Sequence, residues 1–414
     1  MILRCGAGAD PAKLAAVLER AWRGGVLAAL AGPGEADRLA AALGPDPAGL
    51  SARLGCGSGV VVGSGGSSGA RRWCVQPLAH LEASADASAA WLRAQGLDPV
   101  ACLHLNPLPL HHMSGLLPVV RCRRWGASLR WLPPDLLRQP ERLAAAAPLP
   151  ADRPVLLSLV PTQLGRLLAT EAGRAWLAGC AVIWVGGAAL PEAQAAAARR
   201  AGLPLAPCYG ATETAAMVTA QPPAEFLAGV VGCGRPLADV RLRTGAAGAL
   251  EVRTARLSPG WLEGGRLQPL PVDGEGWWRS GDAALLAGDG GLQLRGRLDG
   301  ALLSGGETVF PEQLEERLLE LAAAAGLPVS ALLLLGEDDP EWGQRLVALV
   351  RPASGAAEAP LLADLAALVA AWPPAERPRR WLACPALAPS TAGKWQRGRW
   401  RLWLQCQASV APPA

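Results

Sequence analysis

A chain of 414 residues is too long for one ordinary hydrophobic core, so two or more domains are expected. With 51% hydrophobic and 18% charged residues, it does not have the composition of a disordered chain. A formal net charge of +4 gives no case for nucleic-acid binding.

Residues 11–31 read as a helix that breaks at Gly24-Gly25 and leads into a short apolar strand, and residues 35–43 as a second amphipathic helix. The β-branched run Gly59-Val60-Val61-Val62-Gly63 reads as a buried strand. It runs directly into a Gly/Ser loop at residues 64–72, which suits a phosphate. Gly65, Gly66 and Gly69 free backbone N–H groups to converge on one anion, and Ser64, Ser67 and Ser68 add hydroxyls. Arg71 and Arg72 add planar charged forks. No Gly-Lys-Ser/Thr follows, so this is not a Walker A loop, and Ser68 stands where a dinucleotide fingerprint needs glycine. The alternative is a flexible Gly/Ser linker, which the buried strand before it disfavours.

Residues 77–96 form a predicted helix with Trp91 and Leu92 on its inner face. The apolar run 103–110 ends in His111-His112-Met113-Ser114-Gly115, a loop in which His112 either lines a pocket or packs as an ordinary core histidine. Residues 155–168 read as a strand entering a helix, with Pro161 in the first turn. Residues 181–187 are a buried strand ending in Gly186-Gly187, followed by a helix over 191–201 and a short strand. That strand leads to Tyr209-Gly210-Ala211-Thr212-Glu213. Tyr209 offers a flat face and a hydroxyl, and Gly210 lets backbone approach a ligand. Thr212 offers a hydroxyl to a phosphate, and Glu213 a hard carboxylate to Mg²⁺. A strand end followed by a helix capped by Thr212 is the plainer alternative. The β-loop-α alternation predicts an α/β fold with a mainly parallel sheet and sites at its strand ends.

From residue 230 short strands alternate with turns, at 232–236, 240–244, 250–253 and 276–279, and predict a β-rich subdomain to about residue 298. It contains Ser280-Gly281-Asp282, a turn near 288–291 and Gly296-Arg297-Leu298-Asp299-Gly300. Ser304-Gly305-Gly306-Glu307 follows, then a helix at 312–325, strands at 331–336 and 345–351, and a helix at 360–371. The expected organisation is a large N-terminal α/β domain over 1–298 and a small α+β domain over 299–414, which ends in a stretch carrying Gly393-Lys394.

The 10 cysteines are scattered singly, with no C-x-x-C pair and no zinc spacing. Reduced thiols in a cytoplasmic protein are expected. No run reaches the roughly 18 apolar residues of a membrane helix, and the N-terminus lacks a signal-peptide core.

Taken in order, these motifs resemble those of the acyl-adenylate-forming superfamily, which includes acyl-CoA synthetases, luciferases and peptide-synthetase adenylation domains. The resemblance spans about residues 57–400. It rests on the loop 64–72, Gly186-Gly187-Ala188, Tyr209 to Glu213, Ser280-Gly281-Asp282, Gly296 to Asp299 with Ser304 to Glu307, and Gly393-Lys394. Three strings further resemble the 2-succinylbenzoate-CoA ligase subfamily: Pro109 to Leu116, Ser158 to Leu164, and Ser304 to Glu307 with Pro311. There are departures. Arg71 and Arg72 stand where the family usually has Pro and Lys, Gly300 replaces an aspartate, and Pro389 and Ser390 replace a basic residue and a threonine. The region before residue 57 is short for the family.

The resemblance implies ATP, Mg²⁺ and CoA as partners of a small aromatic dicarboxylate, and it leaves a homo-oligomer open. It implies catalytic roles for Lys394, Thr212, Glu213 and His112, with Glu213 as the metal ligand. It places the ATP phosphates on Ser64, Gly66, Ser67, Ser68, Gly69 and Arg72. Gly187, Ala188, Tyr209 and Gly210 would meet adenine, with the Tyr209 ring stacked on it, and Asp282 and Arg297 the ribose. His112, Ser114, Thr162, Gln163, Gly187 and Met217 would line the acyl pocket. Asp299 would be a hinge, and Gly305 and Gly306 would line the CoA channel. Another acid on the same scaffold, or a non-catalytic nucleotide-binding homologue, are the rival expectations.

Overall fold

The computed structural model describes residues 1–6, 8–65, 71–389 and 395–408. Gly66, Ser67, Ser68, Gly69 and Lys394 therefore lie outside the described residues.

Helix Pro11–Arg23 begins where the Asp10 carboxylate accepts from Ala12 N at 2.9 Å, with proline in its first turn. It covers a sheet whose strands run in the order Ile2–Arg4, Leu27–Ala31, Gly59–Ser64, Arg72–Pro77, Gly260–Glu263 and Arg266–Pro269. The first three are parallel and the others antiparallel. Val60, Val61 and Val62 are fully buried, as an apolar run covered on both faces must be.

A second sheet has the order Arg235–Pro236, Ala216–Ala220, Leu205–Ala211, Val182–Val185, Val155–Leu159, Leu103–Asn106 and Ser128–Trp131. Its last five strands are parallel. The sheet is therefore mainly parallel, as the sequence pattern implied. Helices Leu78–Ala94 and Met113–Trp125 pack together between the two sheets. Leu81, Leu92, Leu116 and Val120 join Val62 of one sheet and Trp184 of the other in one core. Helices Pro161–Leu168, Glu171–Ala178 and Glu192–Arg200 close the outer face of the second sheet over a separate core.

The strands beyond residue 230 do not form one unit. Arg241–Thr244, Ala249–Arg253, Trp278–Leu286 and Leu292–Arg297 make a four-stranded antiparallel sheet. Arg235–Pro236 joins the second sheet instead, and the hairpin Gly260–Glu263/Arg266–Pro269 joins the first. Short alternating segments specify strands but not partners, and a partner over 180 residues earlier in the chain leaves no local mark.

Residues from Leu302 on carry two cores of their own on the faces of another sheet. Helices Pro311–Ala324 and Glu358–Leu368 cover one face. Trp400 and Leu404 of helix Arg397–Ala408 cover the other. That helix and strand Arg380–Ala383 were not expected from the sequence. All ten cysteines are free thiols, and no helix among the described residues is long and apolar enough to cross a membrane.

Candidate active site

The parallel strands of the second sheet deliver the sequence-predicted residues to one edge. His112 and Ser114 follow strand Leu103–Asn106, Thr162 and Gln163 follow Val155–Leu159, and Gly187 and Ala188 follow Val182–Val185. Tyr209 and Gly210 lie in the end of Leu205–Ala211. After Leu103–Asn106 the chain first adds Ser128–Trp131 on one side and then Val155–Leu159 on the other. His112, Ser114, Thr162 and Gln163 thus flank the point where strand order reverses, the usual crevice for a ligand in an open α/β sheet. Ser114, Thr162, Gly187 and Ala188 are exposed there, while Met217 is buried in the core. The Gln163 side chain accepts from Val160 N at 3.2 Å and so caps its own helix. The His112 ring lies 4.3 Å from that of His111, tilted by 45°, and burial lowers the His111 pKa.

Thr212 to Thr214 form a single tight turn, not the capped helix of the plainer reading. The turn is clamped from several sides. Gln76 Nε2 donates to Thr212 O at 2.7 Å, and Ser258 N to Glu213 O at 2.7 Å. Ala211 N donates to Thr214 Oγ1 at 2.9 Å. The fully buried Arg256 donates to Thr214 O and, at 2.9 Å, to Met217 O, while its Nε meets Asp239 Oδ2 at 2.7 Å. These ties hold Ala215 and Ala216 at φ 52° and 83°, which is strained for residues with a Cβ. Gly210 leaves room for this turn, since a Cβ there would lie 2.1 Å from Ala216 O.

Tyr209 is 9% exposed, and its hydroxyl donates to Asp282 Oδ2 at 2.6 Å. Burial, then the nearby Asp282 charge, push the phenol well above its usual pKa, so it stays a donor. Arg297 sits opposite Asp282 on the neighbouring strand, and its Nη1 donates to Oδ1 at 3.2 Å. Burial raises the Asp282 carboxyl, with Tyr209 and Arg297 pulling the other way. Arg297 also donates from Nη2 to Asp299 Oδ2 at 3.2 Å, which ties the expected hinge residue to the ribose-type pair.

The arginines of the glycine loop are held differently from each other. Arg71 turns toward the preceding strand, its Nε 2.7 Å from Oε1 of the nearly buried Glu35. The reason is local room: its guanidinium lies where a Cβ on Gly63 would be. Arg72 is exposed, and its guanidinium stacks 4.3 Å from the centre of the Trp261 ring. Ser64 is buried at the strand end before the loop. Trp261 Nε1 in turn donates to Glu213 Oε1 at 3.0 Å. Glu213 is 8% exposed, and no group of three or more His, Cys, Asp or Glu that could hold a metal exists among the described residues. One carboxylate, with an oxygen beyond the indole bond, fits Mg²⁺, which usually takes one or two carboxylates and completes its shell with phosphate oxygens and water.

Gly305 and Gly306, at φ 59° and 84°, form the two-residue turn between Leu302–Ser304 and Glu307–Val309. Gly305 lies against the Trp342 ring, where a Cβ would come within 2.6 Å. Among the described residues, hydrogen bonds of two glutamates tie helix Pro311–Ala324 to the larger part. Glu312 Oε2 accepts from Arg297 N at 3.3 Å, and Glu316 Oε1 from Glu192 N at 2.9 Å. Arg397, three residues past Lys394, is bound to the buried Glu315 by Nη1 at 2.9 Å and Nη2 at 2.8 Å.

Sequence reasoning missed Trp261, Arg256, Gln76 and Glu35. The first sits in a hairpin whose partner strand is remote in the chain, and no spacing rule announces the others.

The family model described as AMP-binding enzyme matches residues 66–248. A probable 2-succinylbenzoate–CoA ligase of Mycobacterium tuberculosis is 30% identical over 293 residues, 70% of each chain. An indoleacetate–CoA ligase of Aromatoleum aromaticum is 30% identical over 215 residues, 49% of this chain and 41% of that one. Among solved structures, Escherichia coli MenE with a bound analogue of OSB-AMS superposes with TM-score 0.61 at 28% identity, covering 84% of this chain and 69% of that one. Bacillus subtilis o-succinylbenzoate CoA synthetase with its acyl-adenylate OSB-AMP gives TM-score 0.73 at 18% identity, covering 97% and 87%, and bears on the fold alone. The chain spans about half the length, 50%, of several curated relatives it matches. With the described turn, strand ends and paired Asp282–Arg297 in place, the family match and the relative covered over 70% of its length lead to one assignment: the chain belongs to the AMP-binding, acyl-adenylate-forming superfamily.

Proposed function

We propose that this protein is an ATP-dependent acid–thiol ligase that adenylates 2-succinylbenzoate and passes the acyl group to CoA. The observation that carries the reading is that two chains of contacts, Tyr209–Asp282–Arg297 and Glu213–Trp261–Arg72, both start from the short stretch Tyr209 to Glu213 at the end of strand Leu205–Ala211.

In the first half-reaction a substrate carboxylate oxygen attacks the α-phosphorus of ATP and pyrophosphate leaves. In the second, the CoA sulfur attacks the acyl carbon, AMP leaves, and the thiol proton passes to solvent. Both steps ask the protein to position and neutralise anions more than to move protons. Asp282 accepts from the ribose hydroxyls, held in place by Tyr209 and Arg297. The edge of Arg72 and the loop from Ser64 hold the outer phosphates. Glu213, with Thr212 beside it, holds Mg²⁺, which when bound draws charge off the phosphates. Lys394 brings positive charge between the carboxylate and the α-phosphate. His112, Ser114, Thr162 and Gln163 line the acyl crevice. The part from about residue 300 turns about Asp299 between the half-reactions, and Gly305-Gly306 then borders the path of the CoA arm.

The indoleacetate–CoA ligase likeness favours a second reading, a different aryl acid on the same machinery. Pyrophosphate release measured with ATP and a panel of 2-succinylbenzoate, indoleacetate, anthranilate and benzoate tests both. The expected result is turnover greatest with 2-succinylbenzoate and a CoA thioester as product. Preference for a monocarboxylate would replace the first reading by the second, and no release with any acid would remove both.

A further inference from the structure

Trp261 lies between an arginine and a glutamate that the proposed reaction needs apart. Its ring face carries the Arg72 guanidinium at 4.3 Å, and its N–H edge meets Glu213 Oε1 at 3.0 Å. The indole is suited to both contacts, because its face is negative and its N–H edge positive. Among the described residues no ion pair joins Arg72 to Glu213 directly, each meeting Trp261 instead. A direct fork-to-carboxylate pair would occupy the edge donors of the arginine and both oxygens of the glutamate. Stacking uses only the guanidinium face and leaves its in-plane donors for phosphate oxygens. The single indole bond takes one carboxylate oxygen and orients the other. The ring is itself fixed by the sheet, since Trp261 pairs with Cys74 on one side and Gln268 on the other.

We propose that Trp261 is a positioning residue, an aromatic spacer that keeps Arg72 open to phosphate and Glu213 open to the metal. This rests on the reading of Glu213 and Arg72 given above.

The test is calorimetric titration of the full chain with ATP, in EDTA and over a Mg²⁺ series. Trp261→Phe keeps the stacking face and loses the N–H. It should raise the Mg²⁺ concentration needed for half the effect by about tenfold or more, the scale of one hydrogen bond to a charged group, with affinity in EDTA unchanged. Arg72→Leu should do the reverse, weakening ATP in EDTA while leaving the Mg²⁺ dependence in place. Trp261→Leu should do both. Circular dichroism melts check each variant. The Phe and Arg72 variants decide the matter without Trp261→Leu. A Trp261→Phe protein with the wild-type Mg²⁺ response overturns the spacer alone. A wild-type protein whose ATP affinity ignores Mg²⁺ overturns the reading of Glu213 and the spacer with it.

Discussion

Tyr209 carries two separable groups, and they make different demands. If its ring were the working part, Tyr209→Phe would be neutral. The 2.6 Å bond to Asp282 predicts otherwise. Losing a hydrogen bond to a buried carboxylate costs roughly 1.5 kcal/mol or more, so ATP affinity should fall about tenfold with folding intact. An ATP titration that finds wild-type affinity in Tyr209→Phe would return the residue to a stacking role. Acid adds a second handle on the same pair. Burial raises Asp282, so its charge is lost at a higher pH than an exposed aspartate would lose it. ATP binding should therefore weaken on acidification, and Asp282→Asn, weak throughout, should lack that limb. Glu213→Gln, at the neighbouring turn, removes the proposed anionic metal ligand and should cut adenylation without lowering the melting temperature. Unchanged magnesium dependence in a pyrophosphate assay would count against its role.

Helix Pro311–Ala324 is the element in which three glutamates divide two tasks. Glu312 and Glu316, one turn apart, reach the larger part of the chain, while Glu315 is turned inward on Arg397. Burial pushes Glu315 up to about 7 from 4.5, with the Arg397 guanidinium pulling it down. The folded state then holds the proton more tightly than the unfolded chain does. This group's contribution to stability is greatest below pH 4.5 and falls as pH rises to about 7. Thermal melts at pH 5 and pH 7.5 should show that fall, and Glu315→Gln should flatten it. Arg397→Met should destabilise by about 3 kcal/mol or more, because it leaves a buried carboxyl without its partner. Adding Glu315→Gln to that variant should recover part of the loss, and a double variant no better than the single one would mean the pair is not coupled. At this scale the sequence was legible wherever signals are local. The 59–63 strand, the Pro161 helix start and the 191–201 helix stand close to where periodicity, β-branching and proline put them. The 260–269 hairpin was not legible, because its pairing with Arg72–Pro77 is long-range. Trp261 was hidden with it. The partners of Arg71 and Tyr209 were hidden for a related reason. Residue type announces a guanidinium or a phenol, but which carboxylate it finds is decided by tertiary packing.

At the scale of the molecule, residues from Leu302 on have their own cores, and the described ties across to the larger part include the two glutamate contacts of one helix. Both are bonds from single backbone N–H groups to a carboxylate, each worth roughly 1.5–3 kcal/mol, a tie small enough for the proposed separation and re-docking of the two parts. Lys394, which follows Leu302 in the sequence, is proposed to work in one half-reaction only. Lys394→Ala should thus depress adenylation by several orders of magnitude, since a positioned charge in a dry site is worth a few kcal/mol and each roughly 1.4 kcal/mol is tenfold. The same variant, given pre-formed acyl-adenylate and CoA, should make thioester at nearly the normal rate. Asp299 needs a paired test, because its carboxylate also receives Arg297. Asp299→Ala removes that ion pair and leaves the backbone free to turn. Asp299→Pro removes it and also locks φ near −65°. If the alternation proposed here is right, the alanine variant keeps both half-reactions within a few-fold, while the proline variant loses one far more than the other. Single-turnover measurements of each half decide this. Equal losses in both halves for Lys394→Ala, or indistinguishable alanine and proline variants, would mean that the two parts work as one rigid body.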